Sequence, residues 1–267
     1  KYFLPNLRLG RKRMYDIKEG RKKQIMGLLK KIFCDAPQPW QMDFQDEATP
    51  IAAGIIDFHN KAMYYLVLIF TVVLYIILAR VFSNRSISWF KAIHHSTIIE
   101  LIWTILPGII LVIIAIPSLK LLYSLDDITK PNVTLKATGS QWFWSYEIND
   151  IEGLDVNFDS YTKTEDDLEL GELRLLDVDN RVLLPIHTPI RLLVTSQDVI
   201  HSFFVPSLGV KIDAIPGRIN HFSLYLLRPG IFYGQCAELC GKGHQEMSIV
   251  IEGVDTKSYL SWLSTFA

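Results

Sequence analysis

The chain has 267 residues with a formal net charge of −1, and 49% of its residues are hydrophobic, so it can form one or two domains with a sizeable core. The near-neutral total hides two opposite blocks, because residues 1–31 carry eleven Lys and Arg against two acids, whereas residues 126–267 carry twenty Asp and Glu against eleven Lys and Arg. Three cysteines give no even-numbered disulfide framework, and the acidic C-terminal half argues against a nucleic acid partner.

Residues 1–34 are predicted to be a basic N-terminal extension. The segment has no apolar core long enough for a secretory signal. Its basic composition partly suits a mitochondrial targeting segment, but it contains no Ser and includes Asp16 and Glu19. The composition favours the alternative, which is a solvated basic tail or a contact arm for a neighbouring subunit.

Residues 35–61 are predicted to be a polar arm that ends in a short helix. The arm is turn-rich, and Trp40 is a residue type that favours a membrane interface. The short helix is expected to follow Pro50 and to end near Asn60.

Residues 62–125 are predicted to form a transmembrane hairpin in a lipid bilayer. Two uncharged runs, Ala62–Ala79 and Leu101–Leu119, approach the ~20 apolar residues that a membrane-spanning helix needs. Both runs are apolar on every face, whereas a surface helix of a soluble protein has a polar side. A pair of core helices in a soluble protein is therefore the less favoured interpretation.

The segment between the two runs predicts the orientation of the hairpin. It carries Arg80, Arg85 and Lys91 and ends at Glu100. Basic residues beside a membrane mark the side that stays inside, so the acidic C-terminal domain is expected on the outer side. In a mitochondrial protein, that side of the inner membrane is the intermembrane space.

Residues 126–267 are predicted to form an all-β domain, because short apolar segments alternate with Pro, Gly and Asn-Asp turns. The predicted strands are Val133–Thr138, Gln141–Ile148, Leu173–Leu176, Ile190–Thr195, Gly217–Leu226, Ile231–Gly234 and Met247–Glu252. Such a series indicates a β-sandwich or a β-barrel. An amphipathic helix over Lys257–Phe266 is expected to pack on the domain.

The segment Gly234–Met247 has the composition of a soft-metal site, with thiols at Cys236 and Cys240, an imidazole at His244 and a thioether at its last residue. Thiolates and thioethers favour copper(I), zinc or iron–sulfur centres, and a weak Met beside Cys and His is typical of copper electron-transfer sites. One Cys suffices for a mononuclear copper site, and two thiolates that bridge two copper ions would explain the second. A disulfide, a pair of buried thiols and a structural Cys2His2 zinc site are the alternatives.

From about Asp35 to the C-terminus, the chain resembles subunit 2 of mitochondrial cytochrome c oxidases. The resemblance rests on Gly234-Gln-Cys-Ala-Glu-Leu-Cys-Gly-Lys-Gly-His-Gln-Glu-Met247, Val199-Ile-His-Ser-Phe203 and Gly139-Ser-Gln-Trp-Phe-Trp-Ser-Tyr-Glu147. It implies a membrane α-helical hairpin of two transmembrane helices, followed by an all-β cupredoxin-like Greek-key sandwich. It also implies a binuclear copper centre, CuA, with the ligands His201, Cys236, the backbone carbonyl of Glu238, Cys240, His244 and Met247.

The same resemblance assigns roles to three more residues. Trp142 would receive electrons from cytochrome c, although the alternation of Trp142, Trp144 and Tyr146 by itself indicates core packing in a strand. The carboxylate of Glu238 would bind a magnesium ion shared with the large subunit, and otherwise it is only a loop acid. Glu100 would take up protons from the inner side, although the helix dipole also explains an acid at this position.

A group of acidic residues is expected to attract cytochrome c, which is basic. The predicted docking residues are Glu147, Asp150, Glu152, Asp155, Asp159, Asp179 and Asp198. Opposite potentials raise association rates, whereas an ordinary solvated surface is the alternative. Gly153 stands where some family members carry an acid, so the footprint is expected to differ from theirs.

The resemblance implies an electron-transfer subunit of cytochrome c oxidase in the mitochondrial inner membrane. It would accept electrons from reduced cytochrome c and pass them to haem a of the large haem-copper subunit, within a proton-pumping, oxygen-reducing complex that contains other oxidase subunits. Oxygen reduction would occur in another subunit, so this chain would count as an enzyme only because it is a subunit of the oxidase complex. The alternatives are a quinol oxidase subunit, which would lack the copper ligands, and a membrane-tethered copper-storage or delivery protein, which would not need Trp142.

Overall fold

The computed structural model describes residues 34–82, 95–125, 130–150 and 154–266. Within these ranges, the helices are α1 (Pro50–Phe82), α2 (Thr97–Leu125) and α3 (Thr256–Leu263). The strands are β1 (Cys34–Asp35), β2 (Val133–Ser140), β3 (Phe143–Ile148), β4 (Val156–Ser160), β5 (Val182–Pro185), β6 (Pro189–Ser196), β7 (His201–Val205), β8 (Val210–Ala214), β9 (Asn220–Tyr225), β10 (Gly230–Cys236) and β11 (Ser248–Val254). The predictions that concern residues 1–33, Arg85, Lys91, Glu152 and Gly153 lie outside the described residues.

Helices α1 and α2 are both long and apolar enough to cross a membrane. Their apolar windows are not covered by the rest of the chain, which is the arrangement expected of lipid-facing helices. The prediction of a separate short helix ending near Asn60 is wrong, because α1 runs without a break from Pro50 into the first span. A salt bridge between Asp57 and Lys61, one turn apart, crosses the predicted boundary.

The first turn of α1 is fixed to the β-domain. The Thr49 hydroxyl accepts a hydrogen bond from the Ala52 N–H at 3.0 Å and donates one to the Leu208 carbonyl at 2.8 Å. Gly209 has a φ of +65°, and a Cβ at this residue would lie 2.9 Å from the Ala52 nitrogen. The close approach therefore requires glycine, and it joins helix and sandwich without a flexible spacer.

Two sheets form the sandwich that the sequence predicts. One has the strand order β5-β11-β10-β7-β8, with β1 paired to β10, and the other has the order β4-β3-β2-β6-β9. The consecutive strands β5 and β6 lie in different sheets, so the chain crosses between the layers. Side chains alternate between buried and half-buried along β6, and the core between the sheets contains the fully buried Trp144, Tyr146, Phe203 and Phe232.

The prediction of a strand at Leu173–Leu176 is wrong. The N–H groups of Leu176 and Asp177 both donate to the Leu173 carbonyl, and the Asp177 carboxylate accepts from the Leu173 N–H. These local bonds make a turn, and Leu175 has a positive φ of 59°. The leucines at the ends of the turn still pack against a small apolar cluster, which explains the strand-like hydrophobicity.

Five strands were not predicted, and these are β1, β4, β5, β7 and β8. The first has two residues, and the other four have only four or five each. The predicted C-terminal helix is present as α3, followed by a 3₁₀ turn at Ser264–Phe266. It buries Tyr259 and Leu263 against the domain, as the amphipathic pattern indicates.

Candidate metal centre

Strands β7 and β10 bring together the two halves of the predicted ligand set. They are antiparallel neighbours, and Cys236, the last residue of β10, lies opposite Phe203 of β7. His201 is the first residue of β7, so it comes from the start of a strand and not from a turn. Two adjacent strands of one sheet therefore position His201 and Cys236, although 34 residues separate them in the sequence.

The predicted ligand atoms are close together. The Sγ atoms of Cys236 and Cys240 are 4.0 Å apart. His201 Nδ1 lies 3.9 Å from the Cys236 sulfur, and His244 Nδ1 lies 3.5 Å from the Cys240 sulfur. Because a metal–sulfur bond is about 2.3 Å long, both sulfurs can contact one ion.

The two cysteines are free thiols, so the disulfide alternative is wrong. Their sulfurs are 4.0 Å apart, about twice the length of an S–S bond. Both residues are buried, at 7% and 3% exposure. With His201, which is fully buried, they form a group whose ligand atoms all lie within 4.8 Å of one another.

The remaining predicted ligands flank this cluster. The carbonyl oxygen of Glu238 lies 3.3 Å from the Cys236 sulfur, whereas the residue as a whole is exposed. Met247 is 1% exposed, and its carbonyl accepts a hydrogen bond from the Cys236 N–H at 3.0 Å. A main-chain oxygen and a buried thioether residue thus lie beside the two thiols, as the predicted donor set requires.

The two thiols have different affinities for a proton. Burial raises the pKa of Cys236, but hydrogen bonds with His201 and with the Ser202 N–H outweigh it and bring this pKa to about 7. Burial and the negative charge of Cys236 raise the pKa of Cys240 to about 12. The pair therefore holds one proton strongly, and a metal ion bound by both sulfurs must displace it.

Asp198 is hydrogen-bonded to the ring nitrogen of His201 that faces away from Cys236. The His201 Nε2 atom lies 2.8 Å from Asp198 Oδ1, and the carboxylate also accepts from the N–H groups of Gln141 and Val199 at 2.7 Å and 2.6 Å. Burial raises the pKa of Asp198, but these hydrogen bonds lower it by more, so the group stays ionised. An ionised acceptor at Nε2 assigns the ring proton to that nitrogen and leaves the Nδ1 lone pair facing Cys236.

Trp142 lies against the ligand loop. Its indole N–H donates to the Cys240 carbonyl at 3.3 Å, and a Cβ at Gly243 would lie 2.6 Å from the ring. The strand begins only at Phe143, so the prediction that Trp142 shares a strand face with Trp144 and Tyr146 is wrong. Those two side chains are core residues, whereas Trp142 is half-buried at the edge of the metal cluster.

Several predicted docking acids lie far from Trp142 along the β3–β4 hairpin. Asp150 and Asp155 are exposed and lie at the end where the two strands are connected. Glu147 forms a salt bridge with Lys136 at 2.9 Å, so its charge is compensated. Glu152 belongs to the same connection but is outside the described residues.

Two other predicted docking acids lie near the opposite end of this hairpin. Asp159 is opposite Ser145, close to the start of β3 and therefore to Trp142. Asp179 accepts a hydrogen bond from the Tyr161 N–H at 2.8 Å, just beyond the end of β4. Both acids are exposed.

Glu100 is not part of the metal cluster. It lies in the first turn of α2, and the sandwich follows the last residue of that helix, Leu125. A rise of 1.5 Å per residue puts these two positions about 37 Å apart. Any role of Glu100 must therefore be separate from metal binding.

Comparisons with known proteins identify the family of the chain. The family model described as "Cytochrome C oxidase subunit II, periplasmic domain" matches residues 133–254, and the one described as "Cytochrome C oxidase subunit II, transmembrane domain" matches residues 37–121. The periplasmic domain of subunit II of the Bradyrhizobium japonicum cytochrome oxidase is 45% identical and covers 52% of this chain and 96% of that chain, with a TM-score of 0.48.

Curated relatives extend the match over most of the chain. Cytochrome c oxidase subunit 2 of Oenothera berteroana is 52% identical over 237 residues, which is 86% of this chain and 92% of that protein. The mitochondrial protein of the same name from Vigna unguiculata is 54% identical over 237 residues, and the match spans 63% of its length. The subunit 2 of Mycosarcoma maydis is 50% identical over 242 residues, covering 88% of this chain and 95% of that protein. With both family models matched and half of the residues identical to near full-length relatives, the chain belongs to the cytochrome c oxidase subunit II family.

Proposed function

We propose that this chain receives electrons from cytochrome c at a binuclear CuA centre and passes them to haem a in the large haem-copper subunit of an oxidase. The observation that carries the proposal is the convergence of two free thiols, two imidazole nitrogens and one carbonyl oxygen, with neighbouring atoms 3.3–4.0 Å apart. Soft sulfur donors with imidazoles suit copper. Membership of the subunit II family supports the same assignment.

The ligand set of the centre would be His201, Cys236, the carbonyl of Glu238, Cys240, His244 and Met247. When bound, a pair of copper ions would supply one-electron exchange. The chain contributes a rigid frame, because Cys236 and His201 are held by paired strands and Asp198 fixes the ring of His201. Burial of both sulfurs excludes water from the site.

Trp142 is proposed as the residue through which electrons reach the centre. Its ring is half-buried at the surface and is hydrogen-bonded to the main chain of Cys240. It therefore links the surface of the domain to a ligand of the metal. The acids near this end, Asp159 and Asp179, would attract basic cytochrome c.

The carboxylate of Glu238 is proposed to bind a magnesium ion shared with the large subunit. This residue is exposed while its carbonyl faces the Cys236 sulfur, so one residue can serve both sides of the loop. Carboxylate oxygens are the ligands that a hard dication prefers.

The proposed location is the mitochondrial inner membrane, with the sandwich in the intermembrane space. Arg80, in the last turn of α1, and Glu100, in the first turn of α2, then lie at the inner end of the hairpin. Glu100 is exposed there and is proposed to take part in proton uptake for the assembled complex. Oxygen reduction is proposed to occur in the large subunit.

Copper loading tests the proposed centre. The purified full chain, loaded with copper, is expected to bind two ions and to show intense thiolate-to-copper absorption. Cys240→Ser removes one sulfur and is expected to abolish the two-copper spectrum. The matched control is His221→Ala, which removes an exposed imidazole from β9 and is expected to leave the spectrum unchanged. Binding of zinc with equal preference, or a colourless copper complex, contradicts the proposal.

Electron transfer separates this function from copper storage or delivery. Reduced cytochrome c mixed with the copper-loaded chain is expected to be reoxidised rapidly by the centre. A storage protein with the same spectrum would not accept these electrons. Trp142→Phe keeps an aromatic ring but loses the indole N–H to Cys240, and it is expected to slow the transfer while the copper spectrum remains.

A further inference from the structure

A cleft of about 350 Å³ lies between α1 and α2, away from the metal cluster. The start of α1 and the end of α2 form its walls, so the two helices are antiparallel at this point. At its base the helices touch, because a Cβ at Gly54 would lie 2.9 Å from Leu121 Cδ1. The cleft thus has an apolar base and opens beside the lipid-facing surface of the hairpin.

Two lysines of the cleft lie at the sandwich-side ends of the uncharged runs. Because Gly54 and Leu121 touch, and the lysines lie seven residues from this contact in α1 and one residue from it in α2, in both cases toward the uncharged runs, they are about 9 Å apart along the helix axes. Lys61 directly precedes the uncharged run Ala62–Ala79, and Lys120 directly follows the run Leu101–Leu119. The boundary of the hydrocarbon region therefore lies near both lysines, and their long side chains can reach a phosphate that lies between them. Lysine side chains at the ends of membrane helices extend to this interface.

The charges of the cleft are unbalanced. Asp57 accepts a hydrogen bond from Lys61 at 2.6 Å, but the two side chains are 65% and 59% exposed, and such exposed pairs are weak. Within the described part of the chain, Lys120 forms no ion pair. The three charged groups sum to +1, which one phosphodiester neutralises.

We propose that this cleft binds an anionic glycerophospholipid from the leaflet on the side of the sandwich. Lys120 and Lys61 hold its phosphate, and its acyl chains follow the apolar groove between the helices. Asp57 limits the attraction by neutralising part of the charge of Lys61. The lysines therefore select a lipid of net negative charge over a zwitterionic one, which carries its own cation.

Native mass spectrometry of the full chain in detergent tests the proposal, with phosphatidylglycerol and phosphatidylcholine supplied in equal amounts. Wild-type chain is expected to retain phosphatidylglycerol preferentially, and Lys120→Gln to lower that retention about fivefold, the effect of one lysine beside an anionic lipid. Lys120→Arg keeps the charge and the retention. Asp57→Asn frees Lys61 and is expected to raise the retention.

The control variant is Lys257→Gln, which removes the same charge from an exposed site in α3. Its lipid retention should match that of the wild type. Equal retention of both lipids by the wild type, or an equal loss in the Lys257 and Lys120 variants, overturns the proposal. If the intact oxidase does not retain the lipid and a photo-cross-linker at position 120 labels a polypeptide, a neighbouring subunit fills the cleft and the proposal is wrong.

Discussion

Asp198 is the residue that orients the fully buried His201. Its carboxylate binds the distal ring nitrogen and two main-chain N–H groups, so it is held in place before any metal arrives. Hydrogen-bonded carboxylates behind ligating histidines fix the tautomer and raise the basicity of the ligand. The sequence predicts only a docking role for this residue, from its negative charge, whereas these contacts favour a positioning role.

We expect Asp198→Ala to weaken copper binding about 10- to 100-fold, because His201 loses its acceptor and its fixed orientation. Competition with a chelator of known copper affinity measures the change. Asp159→Ala serves as the control, since it removes an exposed acid that contacts Ser145 and not a ligand. If the two variants bind copper equally well, Asp198 has no positioning role.

At the scale of single residues, the sequence identified the thiols and imidazoles that the fold brings together, but it did not identify the acid behind His201. Cys236, Cys240 and His244 come from one loop, so their spacing alone indicates a site. Asp198 precedes His201 by three residues, and only the turn into β7 puts its carboxylate behind the ring. A rule that each ligating histidine needs an acceptor would have identified it.

Helix α3 depends on its capping residue. Asp255 accepts hydrogen bonds from the N–H and the hydroxyl of Ser258, and the helix that follows buries Tyr259 and Leu263. The hydrogen bond from Ser258 lowers the pKa of Asp255 below its ordinary value. The contribution of the cap is therefore present above the ordinary pKa and is lost as the pH falls through the lowered one.

We expect Asp255→Ala to lower the Tm of the full chain by about 3 °C at pH 7, because the first turn of α3 loses its acceptor. Near-UV circular dichroism during heating measures the Tm. Asp255→Asn retains a capping oxygen and should be close to the wild type. Because Asn does not titrate, this variant should also keep its stability further into the acidic range. A Tm loss as large in the Asn variant as in the Ala variant would argue against the cap.

At the scale of elements, the long helices were easier to predict from the sequence than the short strands. The two long apolar runs were identified because 18 or more uncharged residues have few other interpretations. The start of α1 was predicted after Pro50, but its continuation into the first span was missed, because the polar residues between positions 57 and 61 interrupt the apolar pattern. The missed strands β4 and β8 have only five residues each, although apolar and polar side chains alternate along both.

The proposed approach of cytochrome c involves the whole domain. Asp155 and Asp159 lie at opposite ends of β4, which at 3.3 Å per residue places them about 13 Å apart. Asp159 is at the end near Trp142. At 0.1 M ionic strength the Debye length is about 10 Å, so only the nearer charge should act strongly on a partner bound over Trp142.

We expect Asp159→Asn to slow association with reduced cytochrome c about threefold at low ionic strength, and Asp155→Asn to have a smaller effect. Stopped-flow measurements over a series of salt concentrations test this pair of matched variants. The difference between them should vanish at high salt. If Asp155→Asn has the larger effect, the partner binds at the other end of the hairpin.

Strand β7 connects the metal cluster to the first membrane helix. It begins at His201 and ends at Val205, and the residues just after it are bonded to the first turn of α1. A single strand of about 13 Å thus connects His201, a proposed copper ligand, to the start of helix α1. Because tunnelling rates decay steeply with separation, such a connection would keep the donor–acceptor gap constant while the lipid around it fluctuates.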